Sequence, residues 1–256
     1  MSNGRFALIT GGSRGIGLAT ARALAARGDR VMLVARSEAD LRRATEDLKA
    51  AGAEASYWTG DVADPRSGHS IVHRALELAD GIDVCVLAAG IGHWVPTHAM
   101  SDSQWRDTMS VNLDGIFHIT RAVLPSMIDR GSGHIVYISS VLGRRGVPHM
   151  AAYSASKAAV AAFGESVAAE VKPAGVKVTI IYPGTTVTTM REHQVQRPQT
   201  PDISDPELQL APEDVADAIA WATSVSDRTY PTAVTIEPRG VAGLQAGTDE
   251  RKNHDD

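Results

Sequence analysis

Tyr153 stands thirteen residues after Ser140 and four residues before Lys157. A free tyrosine has a pKa of about 10, too high to furnish much phenolate at neutral pH. On a helix, residues four apart share a face, so the Lys157 ammonium is expected to favour the phenolate and lower that pKa. Such a pair can give a proton to a carbonyl oxygen or take one from an alcohol. The Ser140 hydroxyl would hold the substrate oxygen beside Tyr153. The same spacing also describes an ordinary amphipathic helix face, so its meaning depends on the rest of the chain.

A second chemical signal lies near the start, in Thr10-Gly11-Gly12-Ser13-Arg14-Gly15-Ile16-Gly17. Glycines allow tight turns and close backbone approach to a pyrophosphate, and a helix N-terminus offers free N–H groups at a positive dipole end. The spacing, one glycine, three residues, then Gly-x-Gly, differs from the usual dinucleotide fingerprint and lacks the Lys-Ser/Thr ending of an ATP-binding loop. A phosphate cradle plus an activated tyrosine points to hydride transfer.

These residues must be positioned by alternating strands and helices. The strands are expected at Phe6–Thr10, Val31–Ala35, Ala55–Thr59, Val84–Ala88, His134–Ser139, Lys177–Tyr182 and Ala233–Glu237. Helical patterns cover Gly15–Gly28, Glu38–Ala51, Arg66–Ala79, Asp102–Arg130, Ala151–Lys172 and Pro212–Val225. The near-continuous apolar strands and the alternation predict an α/β fold, a doubly wound parallel sheet of about seven strands with helices on both faces. One Rossmann-type domain is expected over residues 1–240, with 241–256 a polar tail. Thr185 to Leu210, without periodicity and holding Pro198, Pro201 and Pro206, reads as a lid, a binding loop or a disordered segment.

In parallel sheets of this kind an acid at the tip of the second strand bonds the ribose of NAD. Here that strand ends Val34-Ala35-Arg36-Ser37, with no acid at the tip. Arg36, Ser37 and Arg14 are expected to gather around a 2′-phosphate, so NADP(H) is the preferred cofactor. NAD(H) is the alternative, with Glu38 or Asp40 serving the ribose.

The chain of 256 residues is 43% hydrophobic and 21% charged, with a formal charge of −5. That balance gives no electrostatic reason to expect nucleic acid. No apolar run reaches the roughly 18 residues of a membrane helix, so no membrane partner is expected. The first strand begins almost at once, leaving no room for a secretory signal. The single cysteine, Cys85, reads as a small buried hydrophobe suited to a reducing compartment. A cytoplasmic location is expected. His69 and His73 are four apart but lack a third ligand, so no metal site is expected. His93, Trp94 and His149 flank the expected cofactor-edge loops and read either as lining a substrate pocket or as ordinary loop packing, and Arg144 and Arg145 read as solvated loop residues.

The chain resembles a classical short-chain dehydrogenase/reductase from about Phe6 through Pro238. The resemblance rests on the Thr10–Gly17 run, Gly60-Asp61-Val62, Val111-Asn112-Leu113, Ile138-Ser139-Ser140, Tyr153-Ser154-Ala155-Ser156-Lys157 and Pro183-Gly184. It implies a catalytic tetrad of Asn112, Ser140, Tyr153 and Lys157. In that scheme Tyr153 is the acid–base, Ser140 polarises the substrate oxygen, Lys157 bonds the nicotinamide ribose, and Asn112 holds a water reaching Lys157. It further implies that Gly11, Ser13, Arg14, Gly15, Ile16, Gly17, Ala88, Ala89, Gly90, Pro183 and Gly184 line the cofactor, Asp61 and Val62 its adenine, and Thr186 and Thr188 its amide. Leu87-Ala88-Ala89-Gly90 stands where the family usually has Asn-Asn-Ala-Gly, and a glycine pair after the last strand is missing. The implied function is a ketone or aldehyde–alcohol oxidoreductase working on a small-molecule carbonyl or alcohol, as a homo-oligomer (dimer or tetramer). The alternative is a non-catalytic NADP(H)-sensing regulator on the same fold.

Overall fold

A computed structural model describes residues 4–188, 208–226 and 228–240. Its strands are β1 (Phe6–Thr10), β2 (Arg30–Ala35), β3 (Ala55–Thr59), β4 (Val84–Leu87), β5 (Gly133–Ile138), β6 (Val176–Pro183) and β7 (Ala233–Ile236). They form one parallel sheet in the order β3-β2-β1-β4-β5-β6-β7. The order reverses between β1 and β4, and the crevice at such a reversal is where open α/β sheets take ligands.

The helices are α1 (Gly15–Ala25), α2 (Glu38–Ala50), α3 (Pro65–Leu78), α4 (Asp102–Met109), α5 (Gly115–Arg130), α6 (Ala151–Val171) and α7 (Pro212–Ala222). Strand alternation divides the core in two. Phe6 and Leu8 of β1 pack with Ile71, Ile119, Met127 and Val160 from α3, α5 and α6. Ala7 and Ile9 pack with Leu24, Leu41, Leu48, Val215 and Ile219 from α1, α2 and α7. Each large apolar side chain so enclosed contributes roughly 1.5–3 kcal/mol, so these two layers dominate the stability. Cys85 belongs to the first layer, and burial pushes its thiol up to about 12.

The sequence pattern predicts one helix over Asp102–Arg130, and the structure divides it. A π-helical turn at Ser110–Asp114 separates α4 from α5, and Asn112 lies in it. No proline or glycine interrupts residues 102–114, so periodicity alone gives no warning. Such turns recur at functional sites because they re-aim one side chain. The outer strand β7 covers only one face, with Val234 and Ile236 half-buried and Ala233 and Thr235 exposed. Most of the expected lid segment and the whole tail 241–256 lie outside the described residues. The described ends of the former are joined, with Val187 N–H donating to Leu210 O and Leu210 N–H to Thr185 O.

Candidate active site

The glycine run forms the turn between β1 and α1. Gly11 has φ +66°, and a Cβ there would stand 2.8 Å from the Ala89 nitrogen. A Cβ on Gly17 would collide with the Gly11 carbonyl. The loop after β4 therefore packs directly on the loop after β1, which explains why Ala88-Ala89-Gly90 is small. Thr10 strengthens the join, its Oγ1 accepting from Ala89 N–H at 3.4 Å. Sequence reasoning missed that role, although Thr10 opens the glycine motif.

Helix α1 differs at its N-terminus from the three helices that follow it. Ser37 caps α2, Asp64 caps α3 and Ser101 caps α4, each side chain accepting a backbone N–H. At α1 the capping residue is Arg14, no side chain caps the helix, and no acid lies in its first turn. The amides and positive dipole end are left for an outside anion. Gly15 (φ +53°) faces Thr188, whose methyl would lie 3.6 Å from an added Cβ. Arg14 and Arg36 are exposed and have no ion-pair partner among the described residues. Ser37 serves as the α2 cap, its oxygen accepting from Asp40 N–H at 3.3 Å, and only its own proton remains to be donated.

Further along the sheet edge, Asp61 Oδ1 accepts from Ala63 N–H, and Val62 is buried against Gly115. Pro183 ends β6, Gly184 N–H donates to Ile236 O at 2.7 Å, and Thr186 is buried with its hydroxyl donating to Gly184 O. A dinucleotide fits this lining: a cradle that admits no Cβ at Gly11 or Gly17, an uncapped helix end and two guanidinium groups without an ion-pair partner among the described residues.

Ser140, Tyr153 and Lys157 meet beside it. Ser140 follows β5, accepts from Leu142 N–H at 3.1 Å, and points its proton toward Pro183 O at 3.4 Å. Burial raises the Tyr153 pKa, and a hydrogen bond with Ser140 opposes that shift. Lys157 is 4% exposed; its Nζ donates to Ile138 O at 2.8 Å and lies 5.7 Å from the Tyr153 ring centre. Burial lowers the Lys157 pKa to about 8. The expected lowering of the tyrosine pKa is thus not met, since burial shifts it the other way. Desolvation dominates, and the Lys157 ammonium is turned to a backbone carbonyl.

Asn112 is fully buried, and its carboxamide is committed to the protein. Ile91 N–H donates to Oδ1 at 2.8 Å, while Nδ2 donates to Ile91 O at 2.9 Å and to Ser156 Oγ at 3.0 Å. Ser156 in turn donates to Tyr153 O at 2.8 Å. Asn112 therefore ties the loop after β4 to the helix carrying Tyr153. Ser156 was not anticipated as a partner, though it sits one turn from Tyr153 within the quoted motif.

The remaining expectations divide. Arg144 is not loosely solvated: its guanidinium lies 3.8 Å from the Tyr182 ring centre and donates to Thr235 Oγ1 at 2.9 Å. Arg145 lies 3.9 Å from Glu237. Among the described residues no three metal-ligating side chains gather, and His73 instead faces Glu77 at 3.3 Å. Trp94 and His149 do meet, with ring centres 5.7 Å apart. No helix among the described residues is long and apolar enough to cross a membrane.

This sheet order and site define a dinucleotide-dependent oxidoreductase of the Rossmann type. The family profile described as short chain dehydrogenase matches residues 5–199, and the chain belongs to the short-chain dehydrogenase/reductase family. It is 33% identical over 239 residues to a 3-oxoacyl-[acyl-carrier-protein] reductase FabG of Vibrio cholerae, covering 93% of this chain and 96% of the relative. It is 34% identical over 239 residues to the glycine betaine reductase ATRR of Emericella nidulans, where it spans 19% of that much longer protein. Among solved structures, a Phe-to-Trp variant of actinorhodin polyketide ketoreductase with NADPH superposes with a TM-score of 0.85 at 32% identity, covering 93% of this chain and 97% of the other.

Proposed function

We propose that this protein is an NADP(H)-dependent reductase that interconverts a ketone or aldehyde with its alcohol, on one domain spanning residues 1–240. The observation that carries the reading is the convergence of Ser140, Tyr153 and buried Lys157 next to an uncapped α1 end flanked by two unpaired arginines. Relatives named as reductases, one of them solved with NADPH, support the direction of carbonyl reduction.

The cradle Gly11–Gly17, Ala88–Gly90, Pro183, Gly184, Thr186 and Thr188 would hold the cofactor, with Asp61 and Val62 at the adenine and Arg14, Arg36 and Ser37 at the 2′-phosphate. Bound there, the nicotinamide supplies or removes the hydride. Ser140 holds the substrate oxygen and polarises it. Tyr153 gives that oxygen its proton during reduction and takes one back during oxidation. Lys157 would hold the cofactor ribose and would place positive charge near the phenolate that develops on Tyr153. Asn112 keeps the loop after β4 and the Tyr153 helix in register. The half-exposed Phe117, edge-on to Phe163 at 6.4 Å across α5 and α6, supports a homo-oligomer through those helices.

The test is oxidation of NADPH and NADH, followed by reduced-nicotinamide absorbance, against a panel of carbonyl compounds with a Tyr153→Phe control. Turnover that prefers NADPH and falls about a hundredfold or more in the variant is expected. Tight NADPH binding without turnover on any compound would favour the sensing alternative.

A further inference from the structure

Three side chains beside the tetrad carry polar atoms that are shielded from solvent yet have no hydrogen-bond partner: His93 Nε2, His149 Nδ1 and Ser154 Oγ. Such groups are uncommon in folded proteins, because each gives up its hydration without compensation. Backbone hydrogen bonds tie together the segments that carry them. Ile91 is gripped on both backbone groups by Asn112, and Val95 N–H donates to His149 O at 2.9 Å. The segment 91–95, which carries His93 at its middle, is thereby tied to Asn112 at one end and to His149 at the other. Ser154 follows Tyr153 in α6, and its backbone N–H donates to Met150 O, one residue past His149.

His149 is strained as well. Its φ of +66° makes it the one non-glycine residue with a left-handed backbone among those described. That conformation is unfavourable for a side chain bearing a Cβ and persists only where the surroundings impose it. Arg144 and Arg145 are turned to Tyr182, Thr235 and Glu237, so neither guanidinium is directed at these atoms.

We infer that His93, His149 and Ser154 form a specificity subsite for a second, uncharged oxygen on the substrate, a hydroxyl close to the reacting carbonyl. This rests on the reductase reading above and narrows its substrate class to hydroxy-substituted ketones and aldehydes. A hydroxyl both donates and accepts, so it satisfies a neutral imidazole nitrogen in either tautomer as well as the serine oxygen. Once these groups are desolvated, an alkyl substrate of the same shape leaves them unpaired and is rejected.

The test compares isosteric pairs: hydroxyacetone with butanone, and the β-hydroxyketone one carbon longer with its alkyl counterpart. The readout is the ratio of kcat/KM within each pair, for wild type, His93→Phe, His149→Phe and His149→Asn. At least one hydroxyketone is expected to be preferred about tenfold or more. Each phenylalanine variant should bring that ratio close to one. His149→Asn, which tolerates the left-handed backbone and keeps polar atoms, should retain part of it. Calorimetric binding of the same pairs to the NADPH complex of Tyr153→Phe provides a readout that needs no turnover. Equal treatment of both members in every pair, or a preference untouched by both phenylalanine changes, would overturn the subsite. Absence of turnover alongside selective binding would instead count against the reductase reading and leave the subsite standing.

Discussion

The two edges of the sheet are built to opposite standards. At the N-terminal edge, polar groups are paired several times over. Arg5 forks onto Asp29 at 2.6 and 3.0 Å and reaches the Thr223 carbonyl. Asp83 accepts from Phe6 N–H at 2.7 Å and from Arg130 at 3.1 Å, while the same guanidinium spans Ile82 O and Ser132 O. His134 shares a 2.7 Å hydrogen bond with Thr179, which donates to Pro231 O. At the C-terminal edge, α1 lacks a cap, Lys157 has a single carbonyl partner, and three buried polar atoms have none. The first edge holds strands in place, and the second keeps its bonding capacity for ligands. A polar residue therefore carries different meaning depending on the strand end at which it lies.

The largest effects that separate the edges concern Ser140 and Asp83. Ser140→Ala should lower kcat by about a hundredfold or more, because it removes a polarising donor used in the transition state. Its thermal midpoint should move by only about two degrees, read by calorimetry. Asp83→Ala should do the reverse. It leaves Phe6 N–H without its acceptor and removes a partly exposed ion pair with Arg130, a loss of about 1.5 kcal/mol in denaturant unfolding. Activity per folded molecule should hold. If Ser140→Ala destabilises more than Asp83→Ala, the contrast between the edges is wrong.

A smaller effect should appear in acid. Burial, aided by the charges of Lys177 and Arg5, lowers the His134 pKa to about 4. Its folded pKa thus lies below the unfolded value near 6.5, so the unfolded chain takes up the proton first as pH falls. The neutral ring's contribution is complete above about pH 6.5 and is lost as pH falls toward 4. His134→Gln should flatten that part of the stability profile by roughly 2 kcal/mol, measured by urea unfolding across the window.

The smallest effect has the opposite sign. Lys157→Met removes a buried ammonium whose pKa burial has depressed, and it should stabilise the cofactor-free protein at neutral pH by about 1 kcal/mol. The wild-type penalty applies in full below about pH 8 and fades toward about 10.5, where the unfolded lysine also loses its proton. The variant should lack that upward slope and should be unable to turn over substrate. A variant less stable than wild type would show that the Ile138 hydrogen bond outweighs the desolvation.

Much of this was legible in the chain. The seven strands were apparent because a parallel sheet covered on both faces needs unbroken apolar runs. The cradle was apparent because only glycine fits where Gly11 meets Ala89. The helix break at Ser110–Asp114 was not, since the pull on Asn112 comes from Ile91, a residue distant in sequence. Arg144 misled for the same reason, its partner Thr235 lying on the outermost strand.

By itself the sequence determined the family, the sheet and the residue types of the site, since periodicity, glycine placement and local spacing are properties of neighbouring residues. Only the tertiary structure decided the state of those residues. It showed that Lys157 faces a carbonyl, that Tyr153 is made less acidic by burial, and that one buried polar atom each of His93, His149 and Ser154 has no hydrogen-bond partner among the described residues. Desolvation and hydrogen-bond satisfaction depend on what the rest of the chain brings to a point in space, and no local pattern encodes that.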